Sequence, residues 1–195
     1  MRKWAIVIRI IVQFLIKPSS SYFVVVEKVC QAELKKKPND FYSNWFLGEL
    51  YVKYNKHEKA LKILEPLHNA DRGDKKLELL LARAYFNVKD YEKVISALEE
   101  IELKEKESAT YYLGVSLIER GSAEKGIDYL EKYLMHHPKD YIVHWKLGYE
   151  YFRIGEYEKA IDSYDKSRKL KPNKKIDEDI KICYERLGRM AAGDH

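Results

Sequence analysis

Several short stretches hold residue types that could do chemistry, and each has spacing that argues against it. His136 and His137 adjoin Pro138. Two imidazoles could begin a metal site, but neighbouring residues on a helix end point about 100° apart and no third ligand has usable spacing, so a solvated pair is expected and no metal. The run DED at 177–179 pairs carboxylates, yet it falls early in an amphipathic stretch, where negative charge suits the positive end of a helix dipole. DRGD at 71–74 contains an adhesion-like tripeptide placed where a turn needs Gly and Asp. Cys30 and Cys183 lie far apart and belong to no CxxC or Cys/His cluster, so buried, reduced side chains are expected and a reducing compartment is favoured. The sequence holds no GxGxxG, GxxxxGK[ST], GxSxG or HExxH. It reads as non-catalytic and without a cofactor.

What must then be positioned is a surface. Of 195 residues 46% are apolar and 34% charged, a globular composition. Tyr is abundant at 16, whereas Gly and Pro number 9 and 5, too few for many hairpins and extended loops, which favours helix. The net charge of +5 comes from 36 basic and 31 acidic residues that are mostly interleaved, a solvated surface rather than a nucleic-acid stripe.

The chain repeats itself. PNDFYSNWFLGELY from Pro38 and PKDYIVHWKLGYEY from Pro138 share Pro, Asp, Trp, Leu, Gly and Tyr at an offset of 100, and Glu58, Lys59 and Ala60 return as Glu158, Lys159 and Ala160. Small residues at Gly48, Ala82, Gly114 and Gly148 are spaced 34, 32 and 34, a solenoid period. Within the last unit His144, Leu147, Gly148 and Tyr151 share one helical face, and Tyr157, Ala160, Ile161 and Tyr164 share another, so each unit is expected to be two amphipathic helices ended by a Pro such as Pro172.

These residues resemble the tetratricopeptide repeat family, whose pattern of Leu-Gly, Tyr, Ala, an aromatic and Pro is answered by Leu147, Gly148, Tyr151, Ala160, Tyr164 and Pro172. The resemblance implies an all-α, right-handed α-solenoid of helix-turn-helix repeats. Four repeats are expected at 41–74, 75–106, 107–140 and 141–174, then a capping helix at 175–190 and a tail at 191–195. The second repeat lacks its closing Pro and is two residues short, while the first carries Pro66 in its second helix, so a shifted crossing is expected near 100–107. In the cap, Ile180, Cys183, Tyr184 and Leu187 form the expected inner stripe. Residues 22–40 are expected as a partial repeat, with Tyr22, Val25, Val26, Val29 and Ala32 on its apolar face, although the β-branched run also suits a strand.

In this family the first helices line a concave groove. Matching each unit to the pattern assigns that groove Tyr42, Trp45, Glu49, Lys53, Lys76, Leu79, Arg83, Phe86, Asn87, Tyr111, Val115, Trp145, Tyr149, Phe152 and Arg153. The Lys/Asn/Arg clamp by which some members hold a charged peptide terminus is absent, since Trp45, Glu49, Leu80, Ser108 and Tyr112 occupy its positions. An apolar helix or extended peptide is the expected ligand.

Residues 1–21 stand apart from the repeat. From 4 to 16 only Arg9 and Gln13 are polar, but thirteen residues at about 1.5 Å each fall short of a hydrocarbon core of about 30 Å. Arg2, Arg9, Gln13 and Lys17 form one stripe opposite Trp4, Ile8, Ile11 and Leu15. Three readings stay open: a membrane-surface helix, the first helix of a partial repeat, and an export signal. Residues for membrane or self-association are Arg2, Lys3, Trp4, Ile8, Arg9, Ile11, Phe14, Leu15 and Lys17. The sequence thus points to a cytoplasmic scaffold or adaptor, peripheral to a membrane, with a protein or peptide partner and no nucleic acid. The alternative is a self-assembling coat in which this segment enters the groove of the next molecule.

Overall fold

The computed structural model describes residues 20–70, 74–99 and 107–192, and the chain divides into two compact units, Met1–Ile101 and Glu102–His195. The described residues form ten helices and no strand. The first unit holds α1 (Ser20–Lys36), α2 (Phe41–Lys53), α3 (His57–Ala70), α4 (Lys75–Asn87) and α5 (Tyr91–Glu99). The second holds α6 (Glu107–Glu119), α7 (Ala123–His136), α8 (Tyr141–Arg153), α9 (Tyr157–Leu170) and α10 (Lys174–Ala192). The segment expected to shift the crossing at 100–107 falls almost wholly outside the described residues.

Local chemistry sets the helix ends. Asp40, Asp74 and Asp140 are extended N-caps of α2, α4 and α8, each accepting from a backbone N–H of the first turn. Such caps satisfy donors that a helix start leaves orphaned. The connector between the helices of each pair turns through a left-handed residue: Asn55, Lys89, Gly121 and Gly155 have φ of 57°, 63°, 89° and 83°. Gly is the easy solution there, and Asn is tolerated.

Packing follows the two stripes. Val143, Leu147 and Tyr151 of α8 meet Ala160, Ile161 and Tyr164 of α9 in the core. The two backbones come close at Gly148, where an added Cβ would stand 2.6 Å from the Tyr164 ring. Cys30 and Cys183 are free thiols, 1% and 0% exposed.

A second device links one pair to the next. The Tyr51 hydroxyl donates to Glu27 of α1 at 2.8 Å, that of Tyr85 to Glu65 of α3 at 2.7 Å, and that of Tyr151 to Glu131 of α7 at 2.6 Å. Lys59, Lys93 and Lys159 place their ammonium groups 5.8, 4.9 and 5.6 Å from the same three rings. Each tyrosine is thus held by a carboxylate from the preceding helix and by a cation of its own pair.

Two sequence expectations need correcting. In α1 the buried face is Phe23, Val26 and Cys30, whereas Val25 and Val29 are 60% and 42% exposed. The helix is rotated because the Phe23 ring packs 4.9 Å from Tyr54 and 6.1 Å from Tyr51, and because Glu27 must face Tyr51. In α10 Ile176, Ile180 and Cys183 point inward while Tyr184 is 59% exposed, since Ile176 one turn earlier completes the stripe.

The clasp predicts a pH profile. The Tyr85 hydrogen bond, with Lys93 adding, holds Glu65 below the usual carboxylate range, so this stabilisation is present above pH about 4 and is lost as pH falls through the depressed value. Burial, then the bond to Glu65, holds Tyr85 above its ordinary value, so its contribution is present below pH about 10 and is lost above. Tyr85→Phe should lower stability by about 1 kcal/mol at neutral pH and make the loss below pH about 4 shallower, as read by urea unfolding across pH. An unchanged acid limb would show that Glu65 is not the group responsible.

Candidate partner-binding faces

On α2, Tyr42, Trp45, Glu49 and Lys53 recur at i, i+3, i+7 and i+11 and so share a side of the helix. Tyr42 is 60% exposed, with its ring edge-on to Phe41, and Trp45 is half-buried, edge-on to Phe46 at 5.3 Å. On α4, Lys76, Arg83 and Asn87 are exposed, and Leu79 and Phe86 half-buried. Asn87 uses its amide on the Arg83 carbonyl at 2.7 Å, a bond that finishes the helix. Phe86 packs 6.1 Å from Tyr91 at the start of α5. The first unit therefore exposes Tyr42, while Trp45 and Phe86 are half-buried.

The second unit carries the more apolar face. Trp145 is half-buried, its indole N–H donating to Asp179 of α10 at 3.3 Å while Lys175 stands 5.6 Å over the ring. Tyr149 stacks on Trp145, with centroids 6.1 Å and planes 19° apart, and is 46% exposed. Phe152 is half-buried against Tyr157, 5.5 Å away, repeating the Phe86–Tyr91 contact of the first unit. Arg153 donates to Glu150 at 2.8 Å, which pairs the charge of a carboxylate only 2% exposed. Lys146 reaches Glu119 of α6 at 3.8 Å. Tyr111 lies 5.8 Å from Tyr112 and 5.4 Å from Tyr133.

One groove assignment is overturned. Val115 is only 4% exposed and offers no surface, because α6 is buried on nearly every side, with Leu113, Ser116, Leu117 and Ile118 also inside. Ile142 was missed. It is 51% exposed one turn before Trp145, and the offset of 100 that turns Trp45 into Trp145 also turns Tyr42 into Ile142, so the signal was present. The role of Asp179 was missed as well, since the DED run reads only as dipole chemistry until α10 is seen against α8. Asp177 of the same run bonds Arg168 at 3.1 Å. His137 stacks on Tyr133 with centroids 4.4 Å apart.

Arg2, Lys3, Trp4, Ile8, Arg9, Ile11, Phe14, Leu15 and Lys17 lie outside the described residues, as does most of DRGD apart from Asp74. No helix among the described residues is long and apolar enough to cross a membrane.

Comparison with known proteins bears on the fold. The family model described as anaphase-promoting complex, cyclosome, subunit 3 matches residues 53–133, and that described as tetratricopeptide repeat matches residues 141–174. A crystal structure of the MamA protein aligns with a TM-score of 0.67 at 22% identity, over 76% of this chain and 82% of that one. A MamA D159K mutant aligns with a TM-score of 0.70 at 20% identity, over 77% and 89%. YrrB, described as a TPR protein with an unusual peptide-binding site, aligns with a TM-score of 0.69 at 16% identity, over 80% and 81%. Such identities show the fold alone, an all-α solenoid of helix-turn-helix repeats. Curated proteins gave no match.

The faces separate packing aromatics from presented ones. Phe86→Ala and Phe152→Ala should each cost at least about 1 kcal/mol in urea unfolding, because each uncovers a tyrosine ring. Tyr42→Ala and Tyr149→Ala should stay within about 0.5 kcal/mol of the parent. Equal losses at all four positions would mean that the presented rings are structural too.

Proposed function

Because the chain is a tetratricopeptide-repeat protein, we propose that it is a non-catalytic adaptor or scaffold that holds an apolar helix or extended segment of a protein partner against the aromatic face of its first helices. The observation that carries this reading is Ile142 and Tyr149, 51% and 46% exposed on one side of α8. Between them Trp145 is fixed by Asp179 at 3.3 Å, so a partner would meet rings already ordered. Large apolar side chains lined up in water on a rigid helix mark a contact surface, and aromatic anchors of this kind dominate binding energies. The peptide-binding site in the description of YrrB supports the same use of the fold.

The test is a photo-crosslinking residue placed at Ile142 or Tyr149 in the intact chain, in its own cells. The expected outcome is one dominant adduct whose contact sequence is apolar, strongly reduced when the crosslinker sits instead at Lys181, which is exposed on α10. Equal adducts at all three positions would overturn the reading. An adduct of twice the chain's mass would select the alternative, a self-assembling coat in which residues 4–16 of one molecule enter the face of the next.

We further propose that the adaptor works at a membrane surface, to which Arg2, Lys3, Arg9 and Lys17 would be drawn electrostatically. Full-length protein should float with anionic liposomes at about 0.05 M salt and be released by about 0.5 M, where the Debye length falls well below 10 Å. Failure to float at low salt would remove the membrane from the proposal and leave the adaptor standing.

A further inference from the structure

Two exposed lysines border the aromatic side of α8. Lys171, in the connector between α9 and α10, donates to the Tyr141 hydroxyl at 3.0 Å and stands 4.6 Å from the centre of that ring. Lys175, in the first turn of α10, stands 5.6 Å over Trp145. Tyr141 and Trp145 are one turn apart, so both ammonium groups lie near the start of α8, beside Ile142 and ahead of Tyr149.

The acids at this end of the unit are engaged elsewhere. Asp140 accepts from the backbone of Ile142 and Val143 and from the Tyr133 hydroxyl at 3.1 Å. Asp165 and Asp177 accept from Arg168 at 2.6 and 3.1 Å, and Asp179 from the Trp145 indole at 3.3 Å. Glu178, exposed one turn after Lys174, is left to balance Lys171, Lys174 and Lys175. Further along α8 the cations are already paired, Arg153 with Glu150 at 2.8 Å and Lys146 with Glu119 at 3.8 Å. Among the described residues, then, the face is apolar along Ile142, Trp145 and Tyr149 and carries its uncompensated positive charge at the α8 start. These lysines are not the positions of the Lys/Asn/Arg clamp, which hold Trp45, Glu49, Leu80, Ser108 and Tyr112.

We propose that the occupant of this face is an apolar protein segment with carboxylates at one end. Its Asp or Glu side chains meet Lys171 and Lys175, and its apolar side chains cover Ile142, Trp145 and Tyr149. This rests on the adaptor reading above and adds the partner's charge and direction. An ammonium held over a ring is partly ordered, and a carboxylate can approach its outer side while the ring contact is kept. Charges on the rim of an apolar contact chiefly set association rate, salt dependence and register, so the lysines would fix which way the segment runs.

The probe is a library of random peptides displayed on phage and selected on the intact chain, with enriched peptides then measured by fluorescence anisotropy. Selected sequences should combine large apolar residues with Asp or Glu at one end. Lys171→Glu/Lys175→Glu should weaken their binding about tenfold at about 0.05 M salt and much less at about 0.5 M, where screening removes the rim attraction. Lys171→Gln/Lys175→Gln should fall between. Replacing the acids of a selected peptide by Lys should make it prefer the Lys171→Glu/Lys175→Glu chain, a reversal that a merely structural role of the lysines would not produce. Apolar peptides without acids, lost in Ile142→Ala/Tyr149→Ala but unchanged in Lys171→Glu/Lys175→Glu, would overturn this inference and leave the adaptor face standing. Binding that ignores Ile142 and Tyr149, or no enrichment, would overturn both. Acidic peptides that need no apolar residue would make the lysines a general anion patch and overturn the inference too. So would a dimer in light scattering that Lys171→Glu/Lys175→Glu dissolves, which would put a second copy on the face.

Discussion

The arrangement depends first on how closely two helix backbones can approach within a pair. In the α6–α7 pair a Cβ added at Gly126 would stand 2.5 Å from the Gly114 carbonyl oxygen and 3.0 Å from the Ile118 nitrogen. Those neighbours are backbone and cannot rotate away, unlike the Tyr164 ring that faces Gly148. Close approach brings the apolar stripes of both helices into one layer of contacts, leaving Leu113 and Leu130 with no exposed surface. In α2, α4 and α8 the remaining side is left in water, which is how a packing constraint becomes a presented surface.

Pairs joined only by apolar contact could slide along one another, because burial is not directional. The clasps of Tyr51, Tyr85 and Tyr151 supply direction, since each phenol has one carboxylate within reach on the preceding helix. Burial, followed by the bond to Glu27, pushes Tyr51 up to about 12, so these phenols stay protonated donors across the physiological range. Lys93 is itself 53% exposed along its side chain, so its ion pair with Glu65 adds little energy and serves mainly to orient the carboxylate. The position equivalent to these tyrosines in the α6–α7 pair is Leu117, 6% exposed, and apolar burial replaces the clasp there.

Much of the fold was legible because repetition amplifies weak signals. One Leu-Gly pair says little, whereas small residues at four points with spacings of 34, 32 and 34 define a period. Rotation about a helix axis was less legible. The α1 face was misread because valines at 25, 26 and 29 satisfy helical spacing as well as Phe23, Val26 and Cys30 do. The choice was made by tertiary partners: Tyr54 for the Phe23 ring and Tyr51 for Glu27. Val115 failed for a related reason, since a pattern position that is exposed at Tyr149 in α8 is only 4% exposed at Val115 in α6.

The aromatic residues show why a site list taken from repeat positions mixes two roles. Phe86 and Phe152 occupy equivalent positions and both close onto the first tyrosine of the following helix, Tyr91 and Tyr157. They secure the turn and contribute only an edge to the face. Tyr42 and Tyr149 have no such closing partner on the next helix, and about half of each remains in water. Trp145 lies between these cases, since Asp179 and Lys175 hold it from α10 yet leave it half-buried. A side chain that is ordered before binding loses less conformational entropy when a partner covers it, so in the proposed adaptor role α10 would serve by holding the Trp145 ring in place.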